Sequence, residues 1–173
     1  MKRAKILFIL LSLVFVGWSC ASKPLPPPEL SYDDNAIKIH AKADPKLNLK
    51  GGKPHTLMIC VYQLKDPNAF NQFAGNEDGL YKLLECNLFD GSVAAAKRLI
   101  VQPGTESIFN LDRAQGVQHV GIVAGYYTVE KSRIVRLYDI PIVIEKKGLI
   151  KRTKTQKMGV LEVELRLGPQ QID

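Results

Sequence analysis

Six residues of this chain carry side chains that commonly bind metals or form covalent bonds: Cys20, Cys60, Cys86, His40, His55 and His119. Histidines that share a metal ion are usually spaced a few residues apart or accompanied by cysteines and carboxylates, and no pair here has that spacing. The sequence also shows no nucleophile elbow, phosphate-binding glycine loop or pair of catalytic carboxylates. We therefore predict no enzymatic activity, no metal site and no cofactor.

Cys20 directly follows an apolar segment that has a basic start. The first five residues carry three positive charges, residues 6–17 are almost wholly apolar, and Ser19 precedes the cysteine. This order is typical of a secretory signal peptide, and the apolar run is shorter than the roughly 20 residues that a membrane-spanning helix needs. We predict that residues 1–19 are a cleaved signal peptide.

The Ser19-Cys20 pair resembles the lipobox of bacterial lipoproteins. The resemblance implies cleavage before Cys20, a diacylglycerol on its thiol and a further acyl chain such as palmitate on its new amino group. Two such chains suffice for stable membrane anchoring. Because Ala21 is not aspartate, the resemblance implies the periplasmic face of the outer membrane. The alternative is a secreted protein with a chance cysteine near its cleavage site.

The segment after Cys20 is rich in proline. Residues 24–28 contain four prolines, and this composition predicts a semi-extended tether rather than a helix or strand. We predict an acylated cysteine and tether over residues 20–35, one folded domain over residues 36–168, and a short tail over residues 169–173. Cleavage would remove three of the charges behind the net +7, and we expect no nucleic-acid partner.

Cys60 and Cys86 form an even pair in a compartment that permits disulfides. Cys60, however, lies inside the very apolar run Leu57–Tyr62, and free cysteines are commonly buried. Both outcomes stay open at this stage, and we expect two buried thiols rather than a bridge.

The hydrophobic pattern predicts an all-β domain. Ile37, Ile39, Ala41 and Ala43 alternate with polar residues, as do the leucines and valine of residues 161–167, which is typical of half-buried strands. Between residues 66 and 90 the spacing becomes helical, which predicts two short helices. Further apolar runs separated by glycine and proline turns bring the total to about seven or eight strands. We expect a two-layer β-sandwich with a helical insertion at about residues 66–90.

Three stretches of the chain resemble the outer-membrane lipoprotein of type VI secretion systems, the TssJ family. The first runs from Ala43-Asp44-Pro45 to the strand that ends Val61-Tyr62-Gln63-Leu64-Lys65-Asp66. The second is Ala69-Phe70 with Leu80-Tyr81 downstream. The third is Val101-Gln102-Pro103-Gly104-Thr105, which leads to Leu111-Asp112 and then to Val120-Gly121-Ile122-Val123-Ala124-Gly125-Tyr126-Tyr127. Their order and approximate spacing match the family from about residue 36 to residue 140.

This resemblance implies a transthyretin-like β-sandwich and a structural, non-enzymatic role. Members of the family tie the periplasmic domain of the inner-membrane subunit TssM to the outer membrane, so the expected partners are a TssM-like subunit and the membrane. No small-molecule substrate is expected. The family's loop between the first two strands contacts TssM, and here that loop corresponds to residues 44–54.

Two interpretations of residues 44–54 are open: a solvated connector, or a docking surface in which apolar leucines are rimmed by lysines. For the docking surface we predict these partner-binding residues: Asp44, Lys46, Leu47, Asn48, Leu49, Lys50 and Lys53. The basic segment 146–157 is interpreted as a charged hairpin end that resists edge pairing, or alternatively as a patch for lipid phosphates. The rival function is an outer-membrane lipoprotein that binds a small ligand or cell-wall fragment.

Overall fold

The computed structural model describes residues 25–147 and 153–173. The predicted signal peptide, Cys20 and part of the basic segment 146–157 lie outside the described residues. The described chain forms the following strands and helices: β1 (Asp33–Ala43), β2 (Leu57–Leu64), α1 (Asn68–Phe73), α2 (Glu77–Leu84), β3 (Val93–Val101), β4 (Glu106–Arg113), β5 (His119–Ala124), α3 (Lys131–Ile134), β6 (Val135–Asp139), β7 (Ile142–Lys147), β8 (Thr153–Met158) and β9 (Leu161–Leu167).

The strands form two larger sheets and one hairpin. One sheet has the order β4-β1-β9, the other has the order β3-β2-β5-β6, and β7 pairs only with β8. The predicted β-sandwich is therefore confirmed. The apolar run of residues 133–144 does not form one continuous strand, because Ile140 and Pro141 separate β6 from β7. Proline has no N–H for a strand ladder, so it favours this break.

The alternating strands bury their apolar face as predicted. Ile37, Ile39 and Ala41 of β1 are buried, and the parallel pairing sets them beside Leu161, Val163 and Leu165 of β9. In β2 seven of the eight residues are buried. This strand is central in its sheet, with the other sheet on one face and the helices on the opposite face, so neither face meets solvent.

The helical insertion packs on the outer face of the β3-β2-β5-β6 sheet. Phe70 of α1 is fully buried, and its ring lies 5.9 Å from that of Tyr62. A Cβ atom at Gly121 of β5 would come within 2.6 Å of the Phe70 ring, so glycine permits this close approach. Asn76 begins α2 by accepting a hydrogen bond from the Gly79 N–H through its side chain. Leu88 continues the helical spacing of the apolar residues in the sequence, but it is 62% exposed because α2 ends at Leu84.

The expectation of two free thiols is wrong, because Cys60 and Cys86 form a disulfide. Cys60 lies in β2, and Cys86 follows α2 in a left-handed backbone conformation, φ +57°. The turn after the helix brings the second cysteine back over the central strand, where the two Cα atoms are 5.2 Å apart. The bond fixes the end of the insertion to the sheet.

Both chain ends of the domain are more ordered than the composition suggested. β1 begins at Asp33, three residues before the predicted boundary, and Glu29 already forms a bridge to Lys157. At the other end the tail folds back, and Ile172 is buried. The Ile172 N–H donates to the Arg133 carbonyl at 2.9 Å. The folded unit therefore extends beyond residues 36–168 in both directions.

Candidate partner-binding loop

The loop between β1 and β2 is compact rather than open, and this corrects part of the predicted docking surface. Leu47 is fully buried and Asn48 is 5% exposed, so neither can contact a partner directly. Leu47 points into the core because the loop folds back on itself, with the His55 N–H donating to the Leu47 carbonyl at 2.9 Å. Leu49 is only partly exposed.

Asn48 joins this loop to its own far end and to the segment after β5. Its side-chain NH₂ donates to the Thr56 carbonyl at 3.1 Å, and its Oδ1 accepts from the Tyr127 backbone N–H at 3.2 Å. Its backbone is left-handed, φ +49°, a conformation that asparagine tolerates better than most residues. The role of Asn48 is therefore to hold the loop in one shape.

The exposed tip of the loop is a tight turn between two lysines. The backbone groups of Lys50 and Lys53 exchange hydrogen bonds of 3.0 Å each way. The two central residues, Gly51 and Gly52, have φ values of +57° and +75°. Turns of this hairpin type need positive φ at both central positions, which glycine adopts at no steric cost. The glycine pair thereby presents both lysine side chains to solvent.

Tyr127 lies beside this tip and supplies the aromatic surface that sequence analysis missed there. The Lys50 ammonium lies 4.2 Å from the centre of the Tyr127 ring, a cation–π contact. The His55 ring meets the same tyrosine edge-on at 5.2 Å. Tyr127 is 51% exposed. Tyr126-Tyr127 was noted in the sequence only as part of the third family-like stretch.

The C-terminal tail supports the loop from its other side. The Leu49 N–H donates to the Pro169 carbonyl at 2.7 Å, and the Tyr126 hydroxyl donates to the Gln171 carbonyl at 2.8 Å. Burial raises the pKa of Tyr126 well above its usual value, so its hydroxyl remains a donor over the physiological range. The loop is thus held by the segment that follows β5 and by the C-terminal tail.

The exposed charges of the loop are mainly positive. Lys46, Lys50 and Lys53 are exposed. Asp44 is also exposed, and its Oδ1 accepts from the Lys46 backbone N–H at 2.6 Å. We call the surface made by Lys46, Lys50, Gly51, Gly52, Lys53 and Tyr127 the loop tip. An aromatic ring among lysines is suited to an acidic protein surface.

The loop tip and the start of the domain lie at opposite ends of the sandwich. The tether enters before Asp33, and the loop begins after Ala43, so the whole length of β1 separates them. Eleven residues of extended strand span roughly 35 Å. A protein attached to a membrane by its N-terminal segment would therefore direct the loop tip away from that attachment.

The histidines are dispersed in the structure. His40 lies 2.6 Å from a Glu106 carboxylate oxygen, and His119 lies 2.7 Å from an Asp139 oxygen. Within residues 25–147 and 153–173, no group of three or more histidine, cysteine, aspartate or glutamate side chains is placed to hold a metal ion. In the same part of the chain, no helix is long and apolar enough to cross a membrane.

Surface clefts offer little to the small-ligand alternative. One cleft of about 570 Å³ lies between α1 and α3 and is open to solvent. Its lining mixes Val135 and Leu137 with the polar side chains of Asn71, Glu130, Lys131 and Ser132. Ligand sites are usually enclosed and mostly apolar, and this cleft is not enclosed.

Several solved structures share the fold. TssJ1, the type VI secretion lipoprotein of Pseudomonas aeruginosa, is 21% identical with a TM-score of 0.56 over 85% of this chain and 95% of that one. Lip, a membrane-bound type VI secretion component of Serratia marcescens, is 14% identical with a TM-score of 0.57 over 83% and 96%. A chain in a structure of the TssM C-terminal domain from EAEC is 14% identical, with a TM-score of 0.56 over 79% and 94%.

No curated protein sequence matches this chain. The family comparison is decisive, because residues 35–160 match the sequence model of T6SS-SciN, the type VI secretion lipoproteins known as VasD, EvfM and TssJ. That match spans most of the folded domain and all of the loop between β1 and β2. The chain belongs to the type VI secretion lipoprotein family.

Proposed function

We propose that this protein is anchored in the outer membrane by lipid on Cys20 and binds the periplasmic domain of an inner-membrane TssM subunit through the loop tip. It would thereby join the two membranes within the type VI secretion membrane complex. The observation that carries the proposal is the loop tip itself, an exposed basic and aromatic surface on a rigid loop in a type VI secretion lipoprotein. Its role is structural rather than catalytic.

Rigidity favours the loop tip as a binding surface. The side chain of Asn48, the backbone of the tail and the glycine turn each fix part of the loop before any partner arrives. A loop that is already ordered loses little conformational entropy on binding, so more of the contact energy appears as affinity. A solvated connector would not need bracing from two sides.

The position of the loop tip fits a bridge between membranes. The tether leaves the sandwich at the opposite end, roughly 35 Å away along β1. With Cys20 in the outer membrane, the loop tip faces the periplasm and the inner membrane. Solved structures described as the TssM C-terminal domain and as a type VI membrane complex contain chains of this fold, which supports placing the protein in such a complex.

The loop assignment is tested by calorimetric titration of the mature chain, carrying Cys20→Ser, against the periplasmic domain of the TssM subunit of the same system. The double variant K50E/K53E reverses two exposed charges and should weaken binding roughly tenfold or more. Lys65→Glu is the matched control, because Lys65 is exposed after the far end of β2. Its affinity should equal that of the unmodified loop. If K50E/K53E bound the TssM domain as tightly as Lys65→Glu does, the loop assignment would be overturned. If the protein without loop substitutions showed no saturable binding, the proposed function would be overturned.

The anchor is tested separately in cells. Cys20→Ser should move the protein from the outer-membrane fraction to the soluble periplasm and abolish type VI secretion, since the bridge would lose its outer end. The variant should retain the circular dichroism spectrum and thermal unfolding of the acyl-free domain. If Cys20→Ser stayed with the outer membrane, the lipidation assignment would be wrong.

A further inference from the structure

The β7–β8 hairpin is an amphipathic element that belongs to neither larger sheet. Among the strands of the described residues, β7 and β8 pair only with each other, and Ile142 and Ile144 on β7 are 54% and 58% exposed. They lie on the same face as Lys146, because alternate residues of a strand share a face. This face therefore joins two exposed isoleucines to a lysine.

A second lysine lies directly across from the first. The antiparallel register places Lys146 of β7 opposite Lys154 of β8, and both are exposed. Neither ammonium has an ion-pair partner within the described part of the chain. Like charges directly opposite each other destabilise a strand pair. An anionic surface would relieve the repulsion. Lysines also discourage strand-to-strand aggregation, but that role does not explain two exposed isoleucines on the same face.

The hairpin lies where the chain enters the domain from its tether. The Glu29 N–H donates to the Gln156 carbonyl of β8 at 3.3 Å. The buried guanidinium of Arg113 donates to the Gly159 carbonyl after β8 at 2.9 Å and to the Ser31 carbonyl at 3.4 Å, so one side chain joins the hairpin base to the entering chain. Cys20 is nine residues before Glu29, a span of roughly 30 Å at most.

We propose that the β7–β8 hairpin docks on the surface of the membrane that holds the lipid anchor. Ile142 and Ile144 enter the interfacial region, and Lys146 and Lys154 meet lipid phosphates. The proposal rests on the lipidation of Cys20 that is part of the proposed function. Docking would restrict the swing of the domain about its tether and hold the loop tip at a fixed height above the membrane.

Tryptophan fluorescence offers a direct test, because the only tryptophan, Trp18, is in the predicted signal peptide. The mature lipidated protein with Ile144→Trp is reconstituted into vesicles of phosphatidylethanolamine and phosphatidylglycerol that contain spin-labelled lipid. We expect blue-shifted emission that the spin label quenches. Ile100→Trp is the control, since Ile100 is 51% exposed near the loop end of β3, and its emission should be neither shifted nor quenched.

The lysines are tested in the same vesicles. Adding K146E/K154E to the Ile144→Trp protein should lower the fraction of molecules whose hairpin is docked on the membrane. The ratio of docked to undocked hairpin should fall roughly fivefold for each lysine lost. Vesicle flotation, scored on every sample, reports the anchor independently.

Each other outcome overturns the proposal in a distinguishable way. If the protein floats with the vesicles but the emission of Ile144→Trp is no more quenched than that of Ile100→Trp, the hairpin assignment is overturned and the anchor stands. Blue-shifted emission that lipid quenchers do not reach overturns it in favour of a protein contact, such as a second copy. If the protein does not float with the vesicles, the lipid anchor and this proposal are both overturned. The titration against TssM then still tests the loop tip independently.

Discussion

Asn48 and Tyr127, 79 residues apart in the sequence, are joined by a hydrogen bond from the Tyr127 backbone N–H to the Asn48 Oδ1 at 3.2 Å. The contact positions the exposed aromatic ring of Tyr127 against the lysine turn of the loop tip. It links the stability of the loop to the geometry of the surface that we propose binds TssM. A buried amide, and not an exposed charge, therefore organises the candidate site.

Asn48→Ala should lower the free energy of unfolding by about 1–3 kcal/mol, because it leaves the Thr56 carbonyl and the Tyr127 N–H without their partner. Alanine also disfavours the left-handed backbone at this position. Asn48→Gly loses the same hydrogen bonds but accepts the backbone, so it should be the milder change. Urea denaturation compares the two. If both variants were as stable as the parent protein, the bracing role of Asn48 would be wrong.

Deleting residues 169–173 should loosen the loop from its other side. The deletion removes the Pro169 carbonyl that accepts from the Leu49 N–H and exposes the core around Ile172. We expect a lower thermal stability and a severalfold lower affinity for the TssM domain in the calorimetric titration, because the loop would have to be ordered on binding. Gln170→Ala serves as a control, since Gln170 is an exposed side chain of the same tail. Unchanged affinity after the deletion would show that the tail does not support the site.

The strands were predictable from the sequence where one face meets solvent. β9 alternates leucine and valine with charged residues, and the structure buries the apolar half of it. Leu47 was misassigned to the surface because its neighbours are polar, and burial there depends on a backbone hydrogen bond from His55 that no local pattern records. Tyr127 joins the loop tip through a contact between distant segments, so its role was equally invisible.

The disulfide was missed for a related reason. Cys60 and Cys86 are 26 positions apart in the sequence. Whether their side chains come close enough to bond depends on where α2 ends and on how the chain turns at Cys86. Glycine and helix signals located the insertion without giving that turn. Sequence analysis therefore predicted the insertion but not its attachment.

Replacing both Cys60 and Cys86 by alanine should lower the free energy of unfolding by about 2–4 kcal/mol, because the bond closes a 26-residue separation in the unfolded chain. Chemical denaturation of the parent and of the double variant measures the loss. Adding reductant should destabilise the parent and leave the double variant unchanged. A parent protein indifferent to reductant would show that the bond contributes no stability.

Gly121→Ala should displace α1 from the sheet, because its Cβ would meet the Phe70 ring at 2.6 Å. Overpacking of this kind costs about 1–3 kcal/mol. Phe70→Leu alone should also be destabilising, since it leaves space in the core. The pair G121A/F70L should be more stable than the two separate losses predict, which a double-mutant cycle by urea denaturation measures. Strict additivity would show that the two residues do not compete for this space.

The contacts of Asp112 predict that the attachment of residues 32–35 to the sandwich depends on pH. Hydrogen bonds from the Asn35 N–H at 2.9 Å and the Tyr32 hydroxyl at 2.7 Å hold the pKa of Asp112 below its usual value. Because this pKa is lower in the folded than in the unfolded chain, the stabilisation is present at neutral pH and is lost as pH falls below about 4. Hydrogen exchange at Asn35 should accelerate, relative to its intrinsic rate, over that range. Asp112→Asn should abolish the pH dependence while keeping an oxygen acceptor, and the same acceleration in that variant would assign the effect to another group.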